Sequence, residues 1–308
     1  MATTATDIRH GTAIAAVNKD DKIRVFWQSQ TGRIEESVYD GGWKSGGSYN
    51  SPSYTAKLGS PLAACTRDLN TISLFFVDAS DHVRSTYYQS GTNLWGGGAT
   101  NQVAAAYTKL GATYLPGTSE IHLFFQLPNN DIQEVIWSGS SWSTGGNLGP
   151  ALPGSSIAVT ASEGPGDGHG IRVYVQAPNL DIVQKCWSVG KGWWSLDYVI
   201  EAGVPSGSAI TVTQFTSGAD VHLRVYWTGH STDFWQWCWD STAVNHPKKA
   251  MHGKTIQGTD LAAICWPGTE LRVYYQGGTK AFGITEWQWG KGNSSAVGGT
   301  AQDPLPPA

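Results

Sequence analysis

The chain has 308 residues, of which 38 are glycine and 15 are tryptophan, while only 14% are charged. The net charge of −4 supplies no excess of basic side chains, which excludes a general nucleic acid-binding surface. No apolar run approaches the roughly 20 residues of a membrane-spanning helix, and no basic and apolar leader opens the chain, so we expect neither membrane insertion nor classical secretion.

One phrase recurs six times along the chain, reading KIRVFWQ, TISLFFV, EIHLFFQ, GIRVYVQ, HLRVYWT and ELRVYYQ. Its central polar slot holds, in chain order, Arg24, Ser73, His122, Arg172, Arg224 and Arg272. A second phrase follows each copy, and its polar slot holds Glu36, Ser85, Glu134, Gln184, Gln236 and Glu286. Such an even period of about 50 residues is the signature of a repeat architecture.

Each repeat is typical of short β-strands. Val, Ile, Tyr, Phe and Trp alternate with polar residues in short runs bounded by Gly, Asn, Asp and Ser. An apolar segment before each pair predicts one further strand, the six segments being AIAAV, PLAAC, AAAY, SIAVT, AITVT and LAAIC. About 50 residues accommodate four antiparallel strands. The sequence therefore predicts an all-β fold, a six-bladed β-propeller in which residues 1–308 form a single domain.

The cysteines do not indicate a disulfide scaffold or a metal site. Cys65, Cys186, Cys238 and Cys265 are too widely spaced for a zinc motif. We expect buried free thiols and no metal or cofactor.

The repeated polar pair lies within a hairpin. With the turn centred near Gln30, Arg24 and Glu36 are predicted to face each other directly across two strands. One interpretation is an ion pair that only fixes the strand register. Against it, Gln184 and Gln236 replace the acid in two repeats. An amide both donates and accepts hydrogen bonds, which favours recognition of hydroxyl groups.

Aromatic residues accompany each pair. Three residues after the second slot stand Tyr39, Tyr88, Trp137, Trp187, Trp239 and Trp289. Seven to ten residues after it stand Trp43, Trp95, Trp142 and Trp193. These indoles exceed what a core is expected to need, and an indole has an apolar face and one N–H donor. Together with the polar pair, they predict a carbohydrate site.

The phrases IRVY-x-Q and I-x-E-x-x-W/Y-D-G-x-W resemble those of the fungal fucose-specific lectins, the group of the orange-peel mushroom lectin and the Aspergillus fucose lectins. The resemblance implies a six-bladed propeller that binds L-fucose and fucosylated glycans between neighbouring blades, without catalysis, metal or cofactor. One blade supplies the Arg and the Glu or Gln, and the next supplies aromatic side chains. It also suggests a homodimer. Several weak sites on one rigid ring would raise avidity, which favours a multivalent agglutinin or adhesin. Since no signal peptide is seen, we expect the protein to be cytoplasmic, or released non-classically and associated with the cell surface or with spores.

Carried over position by position, the resemblance implies four sites that keep the arginine and its acceptor. Their residues are Arg24, Glu36, Tyr88 and Trp95 for the first, Arg172, Gln184 and Trp239 for the fourth, Arg224, Gln236 and Trp289 for the fifth, and Arg272, Glu286, Tyr39 and Trp43 for the sixth. In the fifth, a second tryptophan is not matched. In the sixth, the hairpin is two residues longer.

The two remaining sites depart from the pattern. The third has Glu134 with Trp187 and Trp193, but His122 replaces the arginine, and an imidazole offers fewer donors than a guanidinium. We expect this site to be weak. The second has two serines, Ser73 and Ser85, which are too short to reach a sugar, and we expect it to stay empty.

Two alternative functions are a sialidase-like propeller glycosidase and a protein-binding propeller scaffold. A sialidase would need converging arginines, whereas the arginines here occupy equivalent slots in different blades. Paired carboxylates are needed for glycoside hydrolysis, and Glu35 and Glu36 are neighbours in a strand that face opposite sides. The Gly-His and Trp-Asp signature of protein-binding repeats is absent from the repeats.

Overall fold

The computed structural model describes residues 8–48, 55–91, 94–164, 168–218, 220–241, 249–266, 270–277, 283–290 and 293–297. Within these ranges the chain forms twenty-four β-strands. The strands are, in chain order, β1 Ile14–Lys19, β2 Lys22–Gln28, β3 Ile34–Tyr39, β4 Trp43–Ser48, β5 Ala63–Thr66, β6 Thr71–Val77, β7 His82–Gln89, β8 Leu94–Val103, β9 Leu110–Tyr114, β10 Ile121–Gln126, β11 Asp131–Trp137, β12 Trp142–Pro150, β13 Ile157–Gly164, β14 Gly168–Gln176, β15 Ile182–Ser188, β16 Gly192–Glu201, β17 Ile210–Ser217, β18 Asp220–Thr228, β19 Asp233–Asp240, β20 Lys249–Lys254, β21 Leu261–Trp266, β22 Glu270–Tyr275, β23 Thr285–Gly290 and β24 Asn293–Val297.

These strands form six four-stranded antiparallel sheets, each a simple meander of consecutive strands. We number them as blades 1 to 6, from β1–β4 to β21–β24. The first strands of the blades contact one another in a closed ring, in which β21 of blade 6 lies beside β1 of blade 1. They line a central channel. The predicted six-bladed β-propeller is confirmed. No helix in the described ranges combines the length and apolar character needed to cross a membrane.

The hydrophobic core is divided among the six contacts between neighbouring blades. Between blades 2 and 3, for example, Phe75 belongs to the same buried cluster as Leu123 and Val135. Full burial of one such side chain contributes about 1.5–3 kcal/mol to the free energy of unfolding. Because these clusters span two blades each, a single blade could not bury its apolar faces alone.

Buried glutamines at the end of the second strand connect one blade to the next. The side chain of Gln28 donates to the carbonyl of Lys57 at 2.8 Å and accepts from the amide of Gly59 at 2.7 Å, both in the loop leading into blade 2. In blade 6, Gln276 accepts from the amide of Thr12 at 3.1 Å and so helps to close the ring. The fully buried glutamines in this position are Gln28, Gln126, Gln176 and Gln276.

One predicted strand was wrong. The segment AAAY, residues 104–107, lies in a loop, and the first strand of blade 3 is β9 instead. Gly111 explains the error, because a Cβ there would lie 2.6 Å from the carbonyl oxygen of Ile157. The glycine allows β9 to approach β13 closely, yet it weakens the sequence signal for a strand.

Candidate functional site

In the described part of the chain, grooves lie between neighbouring blades. Each is formed by the second and third strands of one blade and by aromatic side chains from the third and fourth strands of the next. We call the groove between blades 1 and 2 groove 1 and continue around the ring, so that groove 6 lies between blades 6 and 1. The predicted arrangement, with polar residues from one blade and aromatic residues from the next, therefore matches the geometry.

The polar pair of groove 1 is diagonal rather than directly opposed. Arg24 is paired with Val38, and Glu36 is paired with Phe26. The predicted register was wrong because the turn is centred one residue later than Gln30. Both side chains still lie on the same face of the blade, with Arg24 Nε 3.4 Å from Glu36 Oε1. In blade 6, Arg272 and Glu286 keep the same diagonal relation, so the two extra residues of that hairpin lie in its loop.

In groove 1 the acid of the polar pair is buried, whereas the arginine is partly exposed. The Glu36 side chain is 4% exposed, whereas that of Arg24 is 24% exposed. A buried carboxylate needs a partner of opposite charge, and the guanidinium of Arg24 is such a partner for Glu36. The arrangement presents a fork of donors at the surface with an acceptor beneath it, which suits a ligand with adjacent hydroxyl groups.

The wall of groove 1 is aromatic and comes from blade 2. Trp95 meets Phe26 of blade 1 edge to face, with ring centroids 5.9 Å apart. Tyr88 lies directly across the strand pair from Trp95, at a centroid distance of 5.6 Å. Both Tyr88 and Trp95 pack against the buried cluster between these blades. The groove therefore joins a charged pair to a rigid apolar wall.

Groove 6 repeats this arrangement across ring closure. Arg272 Nε lies 3.8 Å from Glu286 Oε1, and the hydroxyl of Tyr274 donates to Glu286 Oε2 at 2.7 Å. Burial raises the pKa of Tyr274 well above its usual value, which keeps this donor protonated. Trp43 of blade 1 meets Tyr274 edge to face at 6.2 Å, and Tyr39 lies beside Trp43 at 5.4 Å.

Groove 4 replaces the acid with an amide. The guanidinium of Arg172 lies 5.7 Å from the ring centroid of Trp239, which belongs to blade 5. Gln184 donates to Cys186 Sγ at 3.0 Å, and Arg172 is 3.6 Å from the same sulfur atom. Arg172 and Cys186 are directly paired across the two strands. In groove 4 the guanidinium of Arg172 therefore has an amide, Gln184, at the position where Arg24 has a carboxylate.

In groove 5 a different acid approaches the guanidinium. Arg224 donates to Asp240 Oδ1 at 2.8 Å, and His222 Nδ1 lies 2.6 Å from the same oxygen. Although burial opposes it, hydrogen bonds from His222 and Arg224 hold the pKa of Asp240 below its usual value. Gln236 donates to Cys238 at 2.9 Å. Trp289 of blade 6 is 36% exposed. The segment where other grooves have a second tryptophan lies partly outside the described residues.

Two cysteines lie in these grooves, a role the sequence interpretation missed. Cys186 and Cys238 are directly paired with Arg172 and Arg224, and each accepts from the groove's glutamine. All four cysteines are free thiols, but the expectation that all are buried holds only for Cys65 and Cys186, since Cys238 and Cys265 are partly exposed. Burial raises the pKa of Cys186, so this thiol stays protonated at neutral pH. In the sequence, the only indication of this placement was that each cysteine follows the glutamine of its repeat by two residues.

Groove 3 is closed by internal hydrogen bonds. His122 Nδ1 lies 2.7 Å from Glu134 Oε1. The other oxygen, Oε2, accepts from the amide of Gly146 at 2.7 Å and from Trp193 Nε1 at 2.9 Å. Trp187 lies 6.0 Å from the His122 ring. His122 and Glu134 are both almost completely buried, so both oxygens of this acid are already engaged by the protein.

Groove 2 keeps the aromatic wall but not the polar pair. Trp142 of blade 3 meets Phe75 of blade 2 edge to face at 5.9 Å, and Trp137 lies 5.5 Å from Trp142. Ser73 and Ser85 occupy the slots that hold Arg24 and Glu36 in groove 1.

The described residues of the whole chain contain no group of three His, Cys, Asp or Glu that could hold a metal ion.

Comparison with known protein families matches residues 8–308 to the model described as fungal fucose-specific lectin. The chain belongs to this family. A fucose-specific lectin of Aspergillus oryzae is 36% identical to this lectin over 310 residues, covering 99% of the chain and 98% of the relative. A fucose-specific lectin of Aspergillus fumigatus is also 36% identical, over 309 residues and 96% of each chain.

Solved structures agree with the fold of the lectin. The SapL1 lectin in complex with alpha methyl fucoside is 29% identical and superposes with a TM-score of 0.87, covering 99% of this chain and 100% of that one. The six-bladed lectin of Aleuria aurantia, at 24% identity and a TM-score of 0.79, covers 94% of this chain and 96% of its own, and supports the fold.

Family membership decides between the alternatives considered for the sequence. The chain is a non-catalytic carbohydrate-binding lectin and not a glycosidase. The geometry agrees, because Arg24, Arg172, Arg224 and Arg272 lie in four different blades instead of converging on one point.

Proposed function

We propose that the lectin binds L-fucose, free and at the ends of fucosylated glycans, in grooves 1, 4, 5 and 6. The proposal rests on one repeated arrangement, a guanidinium beside a carboxylate or amide with an aromatic side chain from the next blade. The relatives named fucose-specific lectin, and the SapL1 complex with alpha methyl fucoside, support the choice of sugar.

The chemistry follows from the groups in groove 1. The guanidinium of Arg24 donates to two neighbouring sugar hydroxyls, and the carboxylate of Glu36 accepts from one of them. The C–H face of the ring lies on Trp95, and the C6 methyl group lies against apolar side chains. No bond is formed or broken. In grooves 4 and 5, Gln184 and Gln236 take the place of the carboxylate with a neutral amide.

The grooves are not expected to bind equally. Groove 3 is the weak one, because His122, Gly146 and Trp193 already occupy both oxygens of Glu134. Groove 2 has no group that reaches a sugar from the two polar slots, and we expect no fucose there. A single shallow site buries few ligand atoms, which places its affinity at about micromolar to millimolar.

Several such sites on one rigid ring make the lectin multivalent. On a surface with many fucosylated glycans, avidity exceeds the affinity of one site by about 10²–10⁴. We therefore propose an agglutinin or adhesin, not a carrier of free fucose. A homodimer would double the number of sites, and the family resemblance is its support. Sedimentation velocity at increasing protein concentration measures this state directly.

Calorimetric titration with methyl α-L-fucoside tests the function. We expect saturable binding, and we expect methyl α-L-galactoside to bind at least about tenfold more weakly, since its 6-hydroxyl must be desolvated against the apolar groups. Arg24→Ala and Arg272→Ala should each lower the stoichiometry by one equivalent per chain, whereas the matched Ser73→Ala should leave it unchanged. Unchanged stoichiometry in both arginine variants would refute the assignment of the sites.

A further inference from the structure

Groove 2, expected to be empty, contains a pocket that is open to solvent on one side. Its volume is about 500 Å³, within the range of roughly 300–1,000 Å³ that small-molecule sites occupy. The pocket lies where the arginine and the acid of groove 1 are replaced by Ser73 and Ser85. The space that the two long side chains fill elsewhere is therefore open between blades 2 and 3.

The lining of this pocket is uncharged and combines aromatic rings with small polar side chains and glycines. None of the described residues that line it is Asp, Glu, Lys, Arg or His. The rings of Phe75, Trp137, Trp142 and Tyr114 contribute to its walls, and Phe75 and Trp142 hold each other edge to face at 5.9 Å. Tyr114 comes from the first strand of blade 3, so the pocket extends inward from the groove mouth.

Polar side chains form a substantial part of the lining, namely those of Thr71, Ser73, Ser85, Tyr87, Gln89 and Tyr114. The hydroxyl of Tyr114 lies 3.4 Å from Ser73 Oγ, and Ser85 Oγ lies on the same face of the blade. Burial raises the pKa of Tyr114, so the phenol is neutral at physiological pH. Each hydroxyl both donates and accepts, and the pocket can therefore satisfy one or two polar groups of a ligand.

The ligand class follows from the contrast with the sugar grooves. Hydrogen bonds to neutral groups contribute less than those to charged groups, so a sugar with several hydroxyls gains less here than beside a guanidinium and a carboxylate. A charged ligand would lose its hydration without gaining a counter-charge. A flat apolar ring system, in contrast, buries its faces against the aromatic walls.

We propose that groove 2 binds an uncharged aromatic molecule that carries one hydroxyl or N–H group, of the phenol or indole class. The aromatic part lies against the accessible surfaces of Trp137 and Trp142, and the polar group bonds to Ser73, Ser85 or Tyr114. This site is separate from the proposed fucose grooves, so we expect bound fucose to leave it unchanged. It replaces the expectation, drawn from the two serines, that groove 2 holds nothing.

Calorimetric titration with 2-naphthol tests this site. The wild-type chain should bind one equivalent, and saturating methyl α-L-fucoside should not displace it. Sodium 2-naphthalenesulfonate, the anionic analogue, should bind at least about tenfold more weakly. Arg24→Ala is the matched control, because it alters groove 1 and should leave the naphthol equivalent in place.

Two variants that fill the pocket complete the test. The pair Ser73→Arg with Ser85→Glu restores the polar residues of groove 1 and should abolish naphthol binding while adding one fucoside equivalent. Ser73→Leu fills the same space without a charge, and it should abolish naphthol binding without adding a fucoside equivalent. Circular dichroism checks that each variant is folded. Absence of naphthol binding to the wild type, its displacement by the fucoside, or its persistence in Ser73→Leu would overturn the proposal.

Discussion

Grooves 1 and 2 share their backbone and aromatic geometry but differ in their polar residues. Phe26 meets Trp95 at 5.9 Å and 81°, and Phe75 meets Trp142 at the same distance and angle. In both, the two polar slots stand diagonally across the same pair of strands. The difference lies in the slots themselves, which hold an ion pair in groove 1 and two serines in groove 2.

This contrast separates the contribution of the aromatic wall from that of the polar pair. Trp95 and Trp142 both pack against the buried clusters that join their blades. The interpretation that so many indoles exceed the needs of a core was therefore too strong, because the wall residues also serve blade packing. The tryptophan alone therefore does not identify a fucose site, and our proposal assigns the choice of ligand to the polar pair beside it.

The largest effect is expected when all guanidinium groups of the fucose grooves are removed. The combined Arg24→Ala, Arg172→Ala, Arg224→Ala and Arg272→Ala variant should lose agglutination of fucosylated erythrocytes. Because agglutination requires several occupied sites, the minimum agglutinating concentration should rise by about 10²–10⁴-fold, the factor that avidity contributes. Ser73→Ala is the control that should behave as wild type, and agglutination by the combined variant at an unchanged concentration would contradict the role of the arginines.

The two tryptophans provide a more direct comparison of the grooves. Trp95→Ala and Trp142→Ala should lower the free energy of unfolding by a similar amount of about 2 kcal/mol, less than for a fully buried tryptophan, since both are half-buried. Only Trp95→Ala should remove a fucoside equivalent. Urea denaturation and calorimetric titration measure the two effects separately. If Trp142→Ala also removed an equivalent, groove 2 would be a sugar site and the comparison would fail.

Local spacing was enough to predict the repeat and the propeller, because the polar slots recur about every 50 residues. That aromatic residues of the next blade lie beside each polar pair was implied only by the resemblance to the fungal fucose-specific lectins, because a contact between blades leaves no trace in the spacing within one repeat. The diagonal register escaped prediction because shifting a turn centre by one residue, from Gln30 to the next position, is invisible in a pattern of alternating residues.

Other features depend on contacts between residues distant in sequence. The sequence showed that Ser73 and Ser85 are short, but the pocket also needs Tyr114, which approaches from another blade. Likewise, Glu134 was predicted as a sugar acceptor, whereas its engagement by Trp193 required the position of the following blade. Asp240, at the end of β19, reaches Arg224 on the neighbouring strand β18 and lies outside both repeated slots.

The smallest expected effect concerns groove 3, whose polar residues are intermediate between those of groove 1 and groove 2. It keeps the acid and the aromatic wall of groove 1 but has His122 in the first slot. We expect His122→Arg to convert it into a fucose site, since the longer guanidinium offers five donors and can compete with Trp193 for the carboxylate. The substitution should raise the affinity of this groove for methyl α-L-fucoside by about tenfold or more.

The combined arginine variant provides the background in which this change is measurable, because its other grooves no longer contribute heat. There, His122→Arg should restore one equivalent of methyl α-L-fucoside binding without restoring agglutination, which a single site per chain does not support. His122→Lys, which adds charge without the planar fork, is the matched control and should restore less affinity. If neither variant gained a site, the hydrogen bonds of Glu134 to Gly146 and Trp193, and not the missing arginine, would be what keeps groove 3 closed.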